Sequence, residues 1–170
     1  MRFSAWMLLI SVLLFVGCSR TPPTKYRLQG FHADMPLDEL KQEREWVPAE
    51  LKGWDLQSAG ELNGVAGTFY ANEHNNVVTR VRFFAEADQE LSQDQLKTTA
   101  DEYLAEIEKQ YGESTFPSVH NDNPSVDRTE WLDQDYDLVV TLRETDLQVE
   151  IRNKLARSIE VRDDNADKVN

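Results

Sequence analysis

Two stretches near the end of the chain alternate apolar and polar side chains so regularly that only extended strands accommodate them. They are Leu138, Val140 and Leu142, then Leu147, Val149 and Ile151, joined at Glu144-Thr145-Asp146. Successive side chains of a strand point to opposite faces, so each trio shares one face and its polar neighbours take the other. A sheet with one dry and one wet face follows, and such sheets are built from antiparallel hairpins. The same period appears earlier. Val65 to Asn72 places Phe69 and Tyr70 on opposite faces, Glu73-His74-Asn75-Asn76 supplies a turn, and Val77 to Glu86 returns. In that return Val77, Val81 and Phe83 share one side while Arg80 and Arg82 take the other. Shorter strands are expected at Tyr26–Phe31, Trp54–Ser58 and Arg128–Asp133, with 46–53 a loop because Pro48 and Gly53 interrupt it.

Between the hairpins the period changes to that of a helix. Ser92 with Gln95 three residues later makes a capping box, and Leu91 before it can staple to Leu96. Leu96, Ala100, Tyr103, Leu104, Ile107 and Tyr111 then lie on one face, and Gly112 provides the stop, so a helix is expected over about 92–111. A shorter one is expected over about 36–45, where Met35-Pro36-Leu37-Asp38-Glu39-Leu40 has a proline near its first position and acids in its first turn. Helix then antiparallel strands, twice over, predicts an α+β fold with both helices on one side of an antiparallel sheet. In order of elements, residues 26 to 154 resemble the small outer-membrane lipoproteins of the barrel-assembly machinery and the β-lactamase-inhibitor-like fold. That resemblance implies a helix-plus-strands repeat and carries no site residue.

The N-terminus is a different kind of segment. Ala5 to Gly17 supplies thirteen nearly unbroken apolar positions, short of the roughly 20 that cross a bilayer. With Arg2 before them and the small Gly17 at their end they describe an export signal over residues 1–17. Phe15-Val16-Gly17-Cys18 resembles the lipobox of bacterial lipoproteins, with Phe15 standing where that family usually has Leu. The resemblance implies cleavage between Gly17 and Cys18, a thioether-linked diacylglycerol on Cys18 and acylation, as by palmitate, of the new amine. Ser19 after the cysteine implies the outer membrane, and the expected location is its periplasmic face. One acyl chain holds a membrane weakly and two or more hold it firmly. Residues 18–25 form the tether, where Pro22-Pro23 favours an extended run of roughly 20 Å at about 3.1 Å per residue.

The 153 residues from Cys18 to Asn170 suit one domain, expected over 26–155, with 156–170 a polar tail. The signal holds one of the 18 basic residues and none of the 31 acidic ones, so its removal takes the net charge from −13 to −14. That argues against nucleic acid and anionic headgroups, which need a cationic face. Cys18 is the sole cysteine, which excludes a disulfide, a thiolate metal site and, once it is lipidated, a thiol nucleophile.

Candidates for chemistry are sparse, and no cofactor is expected. Asp133, Asp135, Asp137 and Glu144 stand at positions 1, 3, 5 and 12 of a calcium-loop spacing, but position 6, which requires Gly, is Leu138. A turn at Asp133-Gln134-Asp135 is the competing expectation. His32, His74 and His120 are isolated, His120 within a polar loop over 120–125. Trp46, Trp54 and Trp131 are candidates for a sugar-stacking surface, with core packing the alternative. The expected function is an anchored envelope module that binds or scaffolds a protein partner without catalysis. The alternatives are an acidic inhibitor of a cationic partner and, third, a cell-wall or lipid hydrolase.

Overall fold

A computed structural model describes residues 26–88, 91–117, 126–156 and 158–159. The expected signal segment over 1–17, Cys18, the expected tether, the loop expected over 120–125 and residues 160–170 lie outside them. The described chain is α+β. Its elements run α1 (Leu37–Glu43), β1 (Val47–Pro48), β2 (Leu56–Leu62), β3 (Val65–His74), β4 (Val77–Glu86), α2 (Gln93–Tyr111), β5 (Val126–Leu132), β6 (Tyr136–Arg143) and β7 (Asp146–Asn153).

The strands form one antiparallel sheet in the order β1-β2-β3-β4-β7-β6-β5. A helix followed by three hairpin-linked strands thus occurs twice, β2-β3-β4 after α1 and β5-β6-β7 after α2. The two sets join where their last strands pair, with Phe83 opposite Val149. Tight turns set the hairpins. Asn63-Gly64 and Asn75-Asn76 both have two consecutive positive φ values, 49° and 80°, then 54° and 62°, as two-residue turns matched to strand twist require.

The core lies on one side of the sheet. Phe69, Val81, Phe83, Leu138, Val140, Leu147, Val149 and Ile151 meet Leu40 of α1 and Leu96, Ala100, Tyr103 and Ile107 of α2, all buried. Each large side chain so buried contributes about 1.5–3 kcal/mol. The capping box of α2 is formed: Ser92 Oγ accepts from the Gln95 backbone N–H, and Gln95 Oε1 accepts from the Ser92 backbone N–H at 2.8 Å. Its C-terminus is tied to β5, since Trp131 donates its indole N–H to the Gly112 carbonyl at 3.0 Å.

Several boundaries differ from the sequence reading. Tyr26–Phe31 is not a strand. Leu28 and Phe31 bridge across a tight turn at Gln29-Gly30, with φ values of 52° and 87°. Tyr26, Leu28, Phe31, Ala33 and Met35 are all buried, so this segment covers core that the seven-residue α1 is too short to reach. The loop expected over 46–53 contains β1, a two-residue strand on the sheet edge. The strand expected at Trp54–Ser58 begins at Leu56 and runs to Leu62. Val77 does not share the face of Val81. The register shifts between Asn72 and Glu73, Thr79 bulges out of the pairing, and the alternation inverts so that Val78 is buried and Val77 exposed.

Asp34 anchors the covering segment to the sheet end. It accepts a short hydrogen bond from Tyr136 Oη and one from Asn153 Nδ2 at 2.6 Å. Burial and the bond to Asp34 push the Tyr136 phenol above its ordinary range.

Candidate functional site

The other side of the sheet carries no helix among the described residues, and there the register assembles an unexpected composition. Basic residues occur in the strands at five places: Arg80 and Arg82 in β4, Arg128 in β5, Arg143 in β6 and Arg152 in β7. All five take the side opposite the core, because each occupies a polar position of its strand's alternation. The cross-strand rows are Arg128–Thr141–Gln148–Phe84, then Glu130–Val139–Glu150–Arg82, then Asp137–Arg152–Arg80. Short side chains, Val139 and Thr141, fall in the middle, and arginines stand around them. The result is a depression of about 200 Å³ walled by the five guanidinium groups and floored by Val139, Thr141, Gln148 and Glu150.

Carboxylates hold the arginines in place. Glu150, buried on this face, receives Arg80 Nε at 2.8 Å and Arg82 Nη2 at 2.5 Å. Burial alone would raise its pKa, yet the two arginines outweigh burial and hold the carboxyl below its usual range. Asp137, also buried, takes Arg152 Nε at 3.0 Å. On the outer half the pairs are looser. Arg128 reaches Glu130 through Nε alone and Arg143 reaches Asp146 through Nη1 at 2.7 Å, with side chains 42 % and 40 % exposed. The inner pairs brace the dish and the outer ones keep donors in reach of solvent.

An aromatic ledge continues the face. Trp54 packs on Tyr70 at 5.6 Å between ring centres, and the Arg80 and Arg82 guanidiniums lie 4.4 and 4.7 Å from the Trp54 ring centre. Such stacking is worth about 0.5–2 kcal/mol per contact and fixes the arginines' orientation.

The tryptophans considered from sequence are therefore separated. Trp54 joins the open face. Trp46 stacks edge-on against Phe31 at 5.7 Å and donates to the Leu40 carbonyl, while Trp131 is buried under α2's C-terminus. The calcium spacing is likewise dispersed. Asp133 Oδ1 accepts the backbone N–H groups of Asp135 and Tyr136 in a turn, Asp137 pairs with Arg152, and Glu144 lies past the far end of β6. An extended strand at about 3.4 Å per residue leaves Glu144 roughly 24 Å from Asp137. Leu138 continues the strand where a calcium loop would need its glycine turn. Among the described residues no group of three or more His, Cys, Asp or Glu is arranged to hold a metal ion. His74 ends β3 and is exposed, His32 is half-buried beside the Ala33 carbonyl, and His120 lies outside the described residues.

Comparison with protein-family models, characterised proteins and solved structures gives no match. The site is accordingly read from its own chemistry. Guanidinium groups present rigid forks of N–H donors suited to carboxylate and phosphate. A dish walled by them, with a hydroxyl and an amide in its floor, can bind an anion. Nothing in the arrangement resembles a nucleophile paired with a base.

Proposed function

We propose that this chain is a lipid-anchored envelope protein, held through Cys18 at the periplasmic face of the outer membrane, whose folded domain is a binding module without catalysis. Its partner meets the open face of the sheet. The observation that carries this reading is the segregation of all five strand arginines onto the one face that no described helix covers, in a chain of net charge −13. Chance placement on both faces would bury some of them, at a cost that paired surface arginines avoid. The anchor is supported by the lipobox-like Phe15-Val16-Gly17-Cys18.

A second reading, sequestration of a cationic partner, is favoured by the outer side of α2. There Asp94, Asp101, Glu102, Glu106 and Glu108 are exposed against Lys97 and Lys109. Site-specific photo-cross-linking in cells separates the two. A cross-linking residue at Tyr70 should give a defined adduct by mass, and one at Thr98, exposed on α2, should not; the opposite pattern supports sequestration and removes the first reading. Cys18→Ser should release the protein from the membrane fraction or make its unprocessed form accumulate, and retention there with no unprocessed form would refute the anchor.

A further inference from the structure

Within the open face the arginines are not equivalent. Arg80, Arg82 and Arg152 are largely enclosed and engaged by the buried Glu150 and Asp137. Arg128 and Arg143 are the two most exposed, and each is held by a single nitrogen. Among the described residues, both Nη groups of Arg128 and the Nε and Nη2 of Arg143 make no hydrogen bond. Register brings the two side chains together. Arg128 is the cross-strand partner of Thr141, and Arg143 lies two residues further along β6 on the same face. Diagonal neighbours of this kind have Cα atoms about 7–8 Å apart, well within the reach of two long side chains. Thr141, between them in the floor, makes no side-chain hydrogen bond within the described chain, while the Gln148 amide beside it donates to Asp146 Oδ1 at 2.9 Å.

We propose that Arg128 and Arg143 form a two-guanidinium clamp for a compact oxyanion, the carboxylate or phosphate of a small molecule, with the Thr141 hydroxyl as a third contact. The inference rests on reading the open face as the binding surface. Two charged forks with N–H groups to spare match the paired oxygens of such an anion, and hydrogen bonds between ions are about twice as strong as neutral ones. Glu130 and Asp146 fix the two arginines from outside the clamp and so hold it open without a ligand. Size limits the ligand. The depression, about 200 Å³, is smaller than the roughly 300–1,000 Å³ of sites that enclose drug-sized molecules. Charge limits it further: a net −13 repels polyanions and anionic membranes, while a single small anion can enter a locally positive dish.

The test is titration of the exported chain, residues 18–170 with Cys18→Ser, with sodium phosphate and separately with sodium acetate. Chloride holds ionic strength constant, and the readout is NMR of the arginine side-chain and Thr141 amide resonances. Saturable one-to-one shifts centred on Arg128, Thr141 and Arg143 are expected, and whichever anion binds more tightly identifies the ligand's head. Arg128→Gln with Arg143→Gln should weaken binding at least tenfold. Arg128→Lys with Arg143→Lys, which keeps the charge and removes the fork, should weaken it severalfold and serves if the glutamine variant does not fold. Shifts that never saturate, or an affinity unchanged in both double variants, would overturn the clamp. Adduct formation at Tyr70 in cells together with a failed titration would reject the oxyanion and keep the binding face; failure of both would reject the face itself.

Discussion

Glu150 shows how one side chain holds a charged face together. Only 7 % of the residue is exposed, and two arginines reach it from the neighbouring strand. Its folded pKa is depressed below the ordinary value of about 4.5, burial opposing and Arg80 and Arg82 prevailing. A depressed carboxyl stabilises the fold above its unfolded pKa, and that contribution fades as pH falls through the lower folded value. Glu150→Gln is therefore expected to cost about 3 kcal/mol near neutral pH, since it leaves two enclosed guanidiniums without their shared anion. Urea denaturation at a series of pH values checks this. The gap between wild type and variant should close as the pH drops from about 5 towards 2, and a gap that persisted unchanged would show that Glu150 acts by shape rather than charge. In β3, Gly67 works by absence. A Cβ there would meet the Phe84 carbonyl oxygen at 2.5 Å and the Phe83 ring at 2.6 Å, so the close packing of β3 on β4 depends on its hydrogen.

At the scale of elements, α2 is the best-specified piece, and its start is a direct target. Ser92→Ala removes the acceptor for the Gln95 N–H and should destabilise the protein by about 1 kcal/mol, read as a lower denaturant midpoint with unchanged slope. Such local codes are what sequence carries well. Ser92 with Gln95, the period of Leu96 to Tyr111 and the alternation of β3, β4, β6 and β7 are all visible within single short segments of the chain. Asn63-Gly64 is an equally local signal for the end of β2 and was available to fix it. Other features depend on partners distant in the chain. The bulge at Thr79 has no local mark, so Val77 and Val78 exchange faces without warning. The cover formed by Tyr26 to Met35 is defined by what it packs on. The arginine dish is half legible: Arg80 and Arg82 read as a polar face, but Arg128, Arg143 and Arg152 join them only once β4 pairs with β7, about 70 residues away.

Across the whole molecule, the seam between β4 and β7 decides how the parts depend on one another. Each set of three strands is closed by local hairpins, yet both bury their apolar face in one continuous core that spans the seam. A chain ending at Glu144 would lack β7, expose the unpaired edges of β4 and β6 together, and leave Val81, Phe83 and Leu138 without Val149 and Ile151. Such a truncation should form soluble aggregates in size-exclusion chromatography, as long unpaired hydrophobic edges do, and should lack a cooperative thermal transition. A monomeric, cooperatively melting fragment would show instead that the first half stands alone.

The position of that seam also sets a clock. The strand that joins the halves, ending at Asn153, is the last of the sheet in chain order, so the core cannot close until every other strand has been made and β7 is free to move. Pairing of residues so far apart in sequence is slow to begin with. For a chain exported as proposed above, such a delay would keep it unfolded until it has crossed the membrane, and the order of the strands supplies it.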